Sequence, residues 1–250
     1  SYTEAMELSY FGAKVIYPPT MAPAFKLRIP ILIKNTFQPD FEGTKIQFDS
    51  QPTDFPIKGI SSIKDIALVN IKGSGLVGKL GFSGKLFSLL AQHHINIVLI
   101  TQSSSEHSIT LAIHHNEVEK AKQLIEEEFC LEIAAKWLEP IEVEENLGII
   151  AIVGENMKKT VGVSGKLFYA LGRNGINVRA IAQGSSEYNI SVVINENDLS
   201  KALNAVHDAF FNHLKKTIHV FNVGVGNIGS TFLNQLEKQK DFLAKNNDIE

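Results

Sequence analysis

The chain has 250 residues, 44% of them apolar and 20% charged, with a formal charge of −3. That balance suits one to three globular domains with a sizeable core and offers no basic footprint for nucleic acid. A single cysteine, Cys130, excludes an intrachain disulfide, eight scattered histidines make no zinc framework, and no apolar run approaches the roughly 18 residues of a membrane span.

Residues 1–50 read as a helix, a proline-rich turn and short strands. The opening SYTEAMELSYFGA has helical patterning and none of the profile of a signal peptide. Ala5, Met6, Leu8 and Phe11 recur at near-helical spacing, Thr3 is the expected N-cap, and Gly12 lies near the helix end. Pro18, Pro19 and Pro23 then forbid a long helix. Ile29 to Asn35 is β-prone, and Pro39 to Ile46 reads as a turn into another strand. This is too little for a domain. The missing initiator Met and the NNDIE finish lead to the expectation that both ends are cut from something longer.

The dominant feature is an internal repeat at a constant offset of 81 residues. Gly84–Phe129 aligned on Gly165–Phe210 gives 18 identities in 46 positions without a gap, and Gly73/Gly154, Gly81/Gly162 and Ser83/Ser164 extend the match upstream. Each copy has one grammar. A strand (about Ile66–Lys72; about Leu147–Gly154) leads into a Gly-rich loop. A helix follows from Ser83 or Ser164, expected as N-caps, with Leu86, Phe87 and Leu90 or Leu167, Phe168 and Leu171 on its apolar face. Two β-rich runs flank a polar turn, and a second helix runs from near Asn116 or Asn197 to near Phe129 or Phe210. This βαββα order, closed by a strand expected at about Leu131–Leu138 in copy one, predicts an α+β fold of ferredoxin-like sandwiches with both helices on one face. Copy two lacks a closing strand of its own. The stretch Phe55–Ile66 is expected to supply it, which would nest copy one inside copy two.

After the repeat, a β-run at Thr217–Val223 leads into Gly224, Gly226 and Gly229, spaced G-x-G-x-x-G, and then a helical pattern. In a dinucleotide fold these glycines allow the tight turn, the approach of backbone to pyrophosphate, and helix–strand packing. A glycine-rich turn without a ligand is the other reading. The ribose-binding acid, expected about 20 residues on, falls at or beyond Glu250, so no competent NAD(P) site is expected here.

The repeat contains no nucleophile–base pair and reads as a binder. Gln102 and Gln183 end the first hairpin strand of each copy. Asn96 and Asn177 begin it, and Ser104–Glu106 matches Ser185–Glu187 in the turn. A primary amide offers two donors and an acceptor, and a helix N-terminus favours a carboxylate. Together they suggest a free amino acid held between helix N-terminus and hairpin. The alternative is that these residues only shape hairpins. The pairs His93–His94 and His114–His115 point different ways and read as surface, as do His107 and His207. Glu126–Glu128 reads as a solvated helix end, and Cys130 and Trp137 as core or interface.

The FGAK segment in SYTEAMELSYFGAKVIYPPTMAPA, the two Gln-containing hairpins and the GVGNIG stub, in this order, resemble the bifunctional aspartokinase–homoserine dehydrogenase family. The resemblance divides the chain into five parts. Residues 1–50 would end the kinase catalytic domain, and 55–66 would complete the second ACT domain. Residues 67–140 and 141–216 would be the two nested ACT domains, and 217–250 the truncated start of an NAD(P)-binding Rossmann domain. It implies a kinase using ATP and Mg and a dehydrogenase using NAD(P) in the parent protein. No cofactor is expected bound to this chain, which holds no complete active site. It implies L-threonine as effector, contacting Gln102, with Gln183 related and Asn96, Ile97, Ser103 and Asn177 nearby. Lys14, with Val15 beside it, would be a remnant of the nucleotide site. Where relatives often read His-Pro-Arg-Thr, this chain has Tyr17-Pro18-Pro19-Thr20. The resemblance further implies a homodimer or higher assembly through the ACT domains, no membrane or nucleic-acid partner, and a cytoplasmic setting. A lysine-sensitive monofunctional aspartokinase fragment, or a dimerisation module without effector, stays open.

Overall fold

The computed structural model describes residues 1–13, 16–49, 55–76, 81–103, 107–184, 188–212 and 220–247. It divides into two units, Ser1–Ala209 and Phe210–Glu250.

Helix α1 (Tyr2–Tyr10) opens the first unit. Its N-cap is Ser1, not Thr3: the Ser1 side chain accepts from Glu4 N, and the Glu4 carboxylate accepts from the Ser1 nitrogen. This reciprocal capping box satisfies two donors where Thr3 would satisfy one. The prolines make more than a turn. Helix α2 (Pro18–Lys26) starts on Pro18 and Pro19, at positions whose N–H groups have no intrahelical partner in any case. Strands β1 (Ile31–Ile33) and β2 (Thr44–Ile46) pair antiparallel, and Tyr2, Met21 and Ile46 bury together.

The repeat builds one six-stranded sheet from β3 (Gly59–Lys72), β4 (Ile97–Gln102), β5 (Ser108–His114), β6 (Glu142–Val153), β7 (Val178–Gln183) and β8 (Asn189–Asn195), in the order β4-β5-β3-β6-β8-β7. The two long central strands each serve both copies. In β3, Ile66–Lys72 pairs with β5 of copy one, while Gly59–Ile63 pairs with Ile149–Val153 of copy two. In β6, Leu147–Val153 pairs with β8, while Glu142–Glu144 pairs with Leu68–Asn70 of copy one. The nesting is therefore reciprocal, and copy one is closed by Glu142–Glu144. The strand expected at Leu131–Leu138 is instead helix α5 (Cys130–Ala134) and a turn. Leu131 is exposed and Leu138 buried with no period-2 alternation between them, and the edge that strand would fill is taken.

The register of the β3–β6 ladder shifts between Ile63 and Ile66. Asp65 (φ 56°) and Asn146 (φ 59°) sit at this crossover in left-handed backbone. They are 81 residues apart, so the repeat places the same kink in both long strands. Asp and Asn reach this region most readily among non-glycine residues.

Helices α3 (Phe82–Gln92) and α4 (Val118–Glu128) cover copy one, and α6 (Val163–Arg173) and α7 (Leu199–Phe211) belong to copy two. Leu86, Leu90, Val118, Ala121 and Ile125 pack on Ala67, Val69, Ile71, Ile109, Leu111 and Ile113. The alternate residues of the same strands, Ile66, Leu68 and Ala112, pack with Leu147, Ile149, Val193 and Phe11 between the copies. The sheet is thus apolar on both faces. The N-caps of α3 and α6 are Gly81 and Gly162, at φ 90° and 87°, not Ser83 and Ser164. The chain enters each helix through left-handed backbone that glycine adopts without a Cβ clash. Cys130 and Trp137 are exposed rather than core, because the α5 segment lies on the surface.

In the second unit, residues 220–223 form no strand, and 217–219 lie outside the described residues. A dinucleotide-fold first strand needs parallel neighbours to complete its hydrogen bonds, and the described residues of this unit contain none. Helix α8 (Asn227–Asn247) follows the glycine turn. No described helix is long and apolar enough to cross a membrane.

Candidate functional site

The sequence pattern placed a ligand between a helix N-terminus and a hairpin, and copy two contains that geometry. A cavity of about 280 Å³ is lined by Met157 to Gly165, Gln183 and Ile190. Three elements meet there for local reasons. Buried Val153 ends β6, and the chain turns through a short helical segment, Glu155–Lys159, anchored by buried Met157. Gly162 then starts α6, leaving the first-turn N–H groups of Val163, Ser164 and Gly165 at the cavity wall. Gln183 ends β7 directly opposite Ile190 of β8, and Ser164 Oγ donates to Gln183 Oε1 at 3.4 Å.

This arrangement is electropositive. The helix N-terminus carries partial positive charge, Lys158 and Lys159 line the same wall, and the described lining contains no acidic side chain. It can hold a carboxylate at the helix end while the Gln183 amide offers donors and an acceptor to a neutral polar group. Lys158, Lys159 and Thr160 were not singled out from the sequence. Their only signal there was membership of the strand-to-helix loop.

Gln102 occupies the same place at the end of β4 and is likewise exposed. The surrounding loop residues 77–80 and 104–106 lie outside the described residues, as do 185–187 in copy two and both Lys14 and Val15. Ser103 closes the copy-one hairpin: its N–H donates to Ser108 O at 3.1 Å, and its Oγ accepts from Ser108 N at 3.2 Å. Asn96, Ile97 and Asn177 sit at the start of the strands that Gln102 and Gln183 end, about 17–20 Å along the same strand at about 3.3 Å per residue. Asn96 lines a groove of about 620 Å³ with Asp65, His114, His115, Asn116 and Glu117. His115 Nδ1 lies 3.3 Å from Glu145 Oε1 there. Among the described residues no group of three potential ligands could hold a metal ion.

The glycine turn of the second unit is shaped as its motif requires. Gly224 has φ +97°, a Cβ on Gly229 would lie 2.1 Å from Gly224 O, and Gly226 faces open space. Asn222 Nδ2 donates to Gly224 O at 3.1 Å, and Thr231 Oγ1 to Asn227 O at 2.6 Å. The three residues fit a turn that backbone N–H groups could offer to a pyrophosphate.

The family model described as ACT domain matches residues 69–129 and 150–210, the two copies. The bifunctional aspartokinase/homoserine dehydrogenase of Haemophilus influenzae is 43% identical over 247 residues, covering 99% of this chain and 30% of that protein. The chain is similar over nearly its whole length to bifunctional aspartokinase/homoserine dehydrogenases. It spans about 30% of the length of such relatives. The aspartate kinase of Clostridium acetobutylicum superposes with a TM-score of 0.75 at 32% identity, over 84% of this chain and 47% of that one. E. coli aspartokinase III in complex with lysine and aspartate, in its T-state, superposes at 0.65 with 27% identity, over 84% and 45%. The two ferredoxin-like copies are therefore ACT domains, corresponding to the regulatory portion of aspartokinases.

Proposed function

We propose that this segment is the amino-acid sensor of an aspartokinase/homoserine dehydrogenase and that L-threonine is its effector. The observation that carries the reading is the copy-two cavity between the α6 N-terminus, the 157–162 loop and Gln183. At about 280 Å³ it lies just below the usual range for small-molecule sites, about 300–1,000 Å³, which suits a single amino acid. The effector carboxylate faces the N–H groups of Val163 to Gly165 and the Lys158–Lys159 charges. The Gln183 amide reads the side-chain hydroxyl, and Gln102 does the same in copy one. Two lysines at the wall oppose a cationic side chain, so threonine is favoured over lysine, the ligand named with the E. coli relative.

Regulation follows from linkage: an effector shifts an equilibrium only by binding its two states with different affinity, a difference of about 1–3 kcal/mol in typical cases. In the parent protein, a cytoplasmic enzyme in this reading, Lys14 and Val15 belong to the kinase nucleotide site, which uses ATP and Mg. Gly224, Gly226 and Gly229 are the residues of this chain that would approach the pyrophosphate of NAD(P). The terminal strands β4 and β7 carry Ile100 and Ile181 exposed at repeat-equivalent positions, two apolar side chains suited to contact with a second copy.

Thermal melting and titration calorimetry with threonine, lysine and methionine test the effector reading. Threonine should raise the melting temperature and the other two should not. Gln183→Ala and Gln102→Ala should each weaken threonine binding by about 0.5–1.5 kcal/mol, the net contribution of one hydrogen bond. Equal threonine affinity in the parent and both variants would refute the assignment.

A further inference from the structure

Helix α1 grips the cavity of copy two from outside, on two walls. The Glu4 carboxylate is 4% exposed. One oxygen accepts from the Ser1 nitrogen at 2.7 Å and the other from Glu155 N at 2.9 Å. Glu155 begins the turn whose next residues, Met157 onward, line the cavity. Ser1 Oγ adds a second link by donating to the Glu155 carboxylate. One helical turn on, Glu7 Oε2 accepts from Asn189 Nδ2 at 2.7 Å. Asn189 adjoins Ile190, which lines the cavity and pairs with Gln183.

The far end of α1 is locked as well. Tyr10 OH donates to Val98 O at 3.1 Å, and buried Ser61 Oγ donates to Phe11 O at 2.7 Å. Gly12 passes so close to Ser62 that a Cβ would lie 2.6 Å from its carbonyl oxygen. Lys14 follows two residues later.

We propose that Glu4 and Glu7 are positioning residues that transmit the state of the copy-two cavity along α1 to its far end at Phe11 and Gly12; this rests on the effector reading above. The physical reason lies in the two carboxylates, Glu4 buried and Glu7 half-buried. Charge-assisted bonds are about twice as strong as neutral ones, and a buried carboxylate stripped of its donors carries the full desolvation cost. When the 155–163 loop or the β7–β8 hairpin shifts around a ligand, Glu155 N and Asn189 Nδ2 move, and α1 follows rather than abandon them.

Hydrogen exchange read by mass spectrometry on this chain, with and without saturating threonine, tests the link. In the parent, threonine should slow exchange in residues 157–165 and also in residues 2–12, the latter by about fivefold or more, the lower end of typical coupling. In the Glu4→Gln/Glu7→Ala variant the 157–165 protection should persist while the ligand-dependent change in 2–12 falls below about twofold. If that pair of substitutions prevents folding, Asn189→Ala cuts the Glu7 link from the other side and should reduce the 2–12 response likewise. Protection of 157–165 without 2–12 in the parent, or an undiminished 2–12 response in the variants, overturns the proposal and leaves the effector reading intact. No protection at either segment in the parent overturns both.

Discussion

Gly148→Ala probes the packing of the shared strand β6 against helix α7. A Cβ at Gly148 would lie 2.4 Å from Leu199 Cδ1 and 3.0 Å from Ile63 O. Leu199 is 2% exposed, so its methyl has no solvent to retreat into. Restoring ordinary carbon contact at about 3.5–4.0 Å requires a shift of over about 1 Å. Overpacking of this kind costs about 1–3 kcal/mol. Gly148 is not in left-handed backbone, so alanine recovers about 0.4–1 kcal/mol by restricting the unfolded chain. The net expectation is a loss of about 1–2 kcal/mol. The repeat supplies the compensating change. Copy one carries Ala67 and Val118 at the equivalent positions, both in its core. Ala plus Val has the same number of side-chain carbons as Gly plus Leu. Leu199→Val alone should cost about 1 kcal/mol, whereas the double variant should be at least about 0.5 kcal/mol more stable than the sum of the singles. The Ile63 carbonyl stays close and keeps recovery incomplete. Equilibrium urea unfolding with unchanged m-values reads all four corners of the cycle. A neutral Gly148→Ala, or strict additivity in the double variant, would refute this packing argument.

Two further outcomes are expected. Gly12→Ala combines backbone at φ +100° with a Cβ 2.6 Å from Ser62 O, and should lower stability by about 1–3 kcal/mol; an unshifted thermal midpoint would contradict it. Burial, and secondarily the Glu7 carboxylate, hold the Tyr10 phenol above its ordinary value of 10.0. The neutral form is then favoured in the folded state. Its contribution is fully present below about pH 10 and is lost as pH rises through the raised folded value. Tyr10→Phe should be less stable at neutral pH, lacking the bond to Val98 O, yet should flatten the decline in urea midpoint between about pH 9 and 11. A decline as steep in the variant as in the parent would exclude Tyr10 as its source.

Much of the fold is legible in the chain because the repeat prints its pattern twice. The pairing of Leu86 with Leu167, or Ile109 with Ile190, reports the same buried face in two contexts. Gln102 and Gln183 stand out because they recur at a strand end where a core explanation is unavailable. Capping was less legible. Ser83 and Ser164 have the right residue type, but the helices begin two residues earlier at glycines whose role depends on φ. Asn96 and Asn177 recur as faithfully as the glutamines, yet the strand length separates each from the glutamine of its own copy. Recurrence marks a shared structural demand without saying where along the strand it acts.

By itself, the sequence determined the sandwich architecture of each copy, because periodicity of 2 and 3.6 residues is a local property of the chain. It also led to the expectation that copy two takes its closing strand from Phe55–Ile66. Only the tertiary structure decided that the borrowing is mutual: Gly59–Ile63 and Glu142–Glu144 each cross into the other copy through kinks at Asp65 and Asn146. It alone brought Lys158, Gln183 and the α6 N-terminus to one cavity and set Glu4 and Glu7 against that cavity's outer walls. The physical reason is range. Propensity and patterning act over a few neighbours, whereas Glu4 and Glu155 are separated by 151 residues and meet only because a buried carboxylate must find its donors.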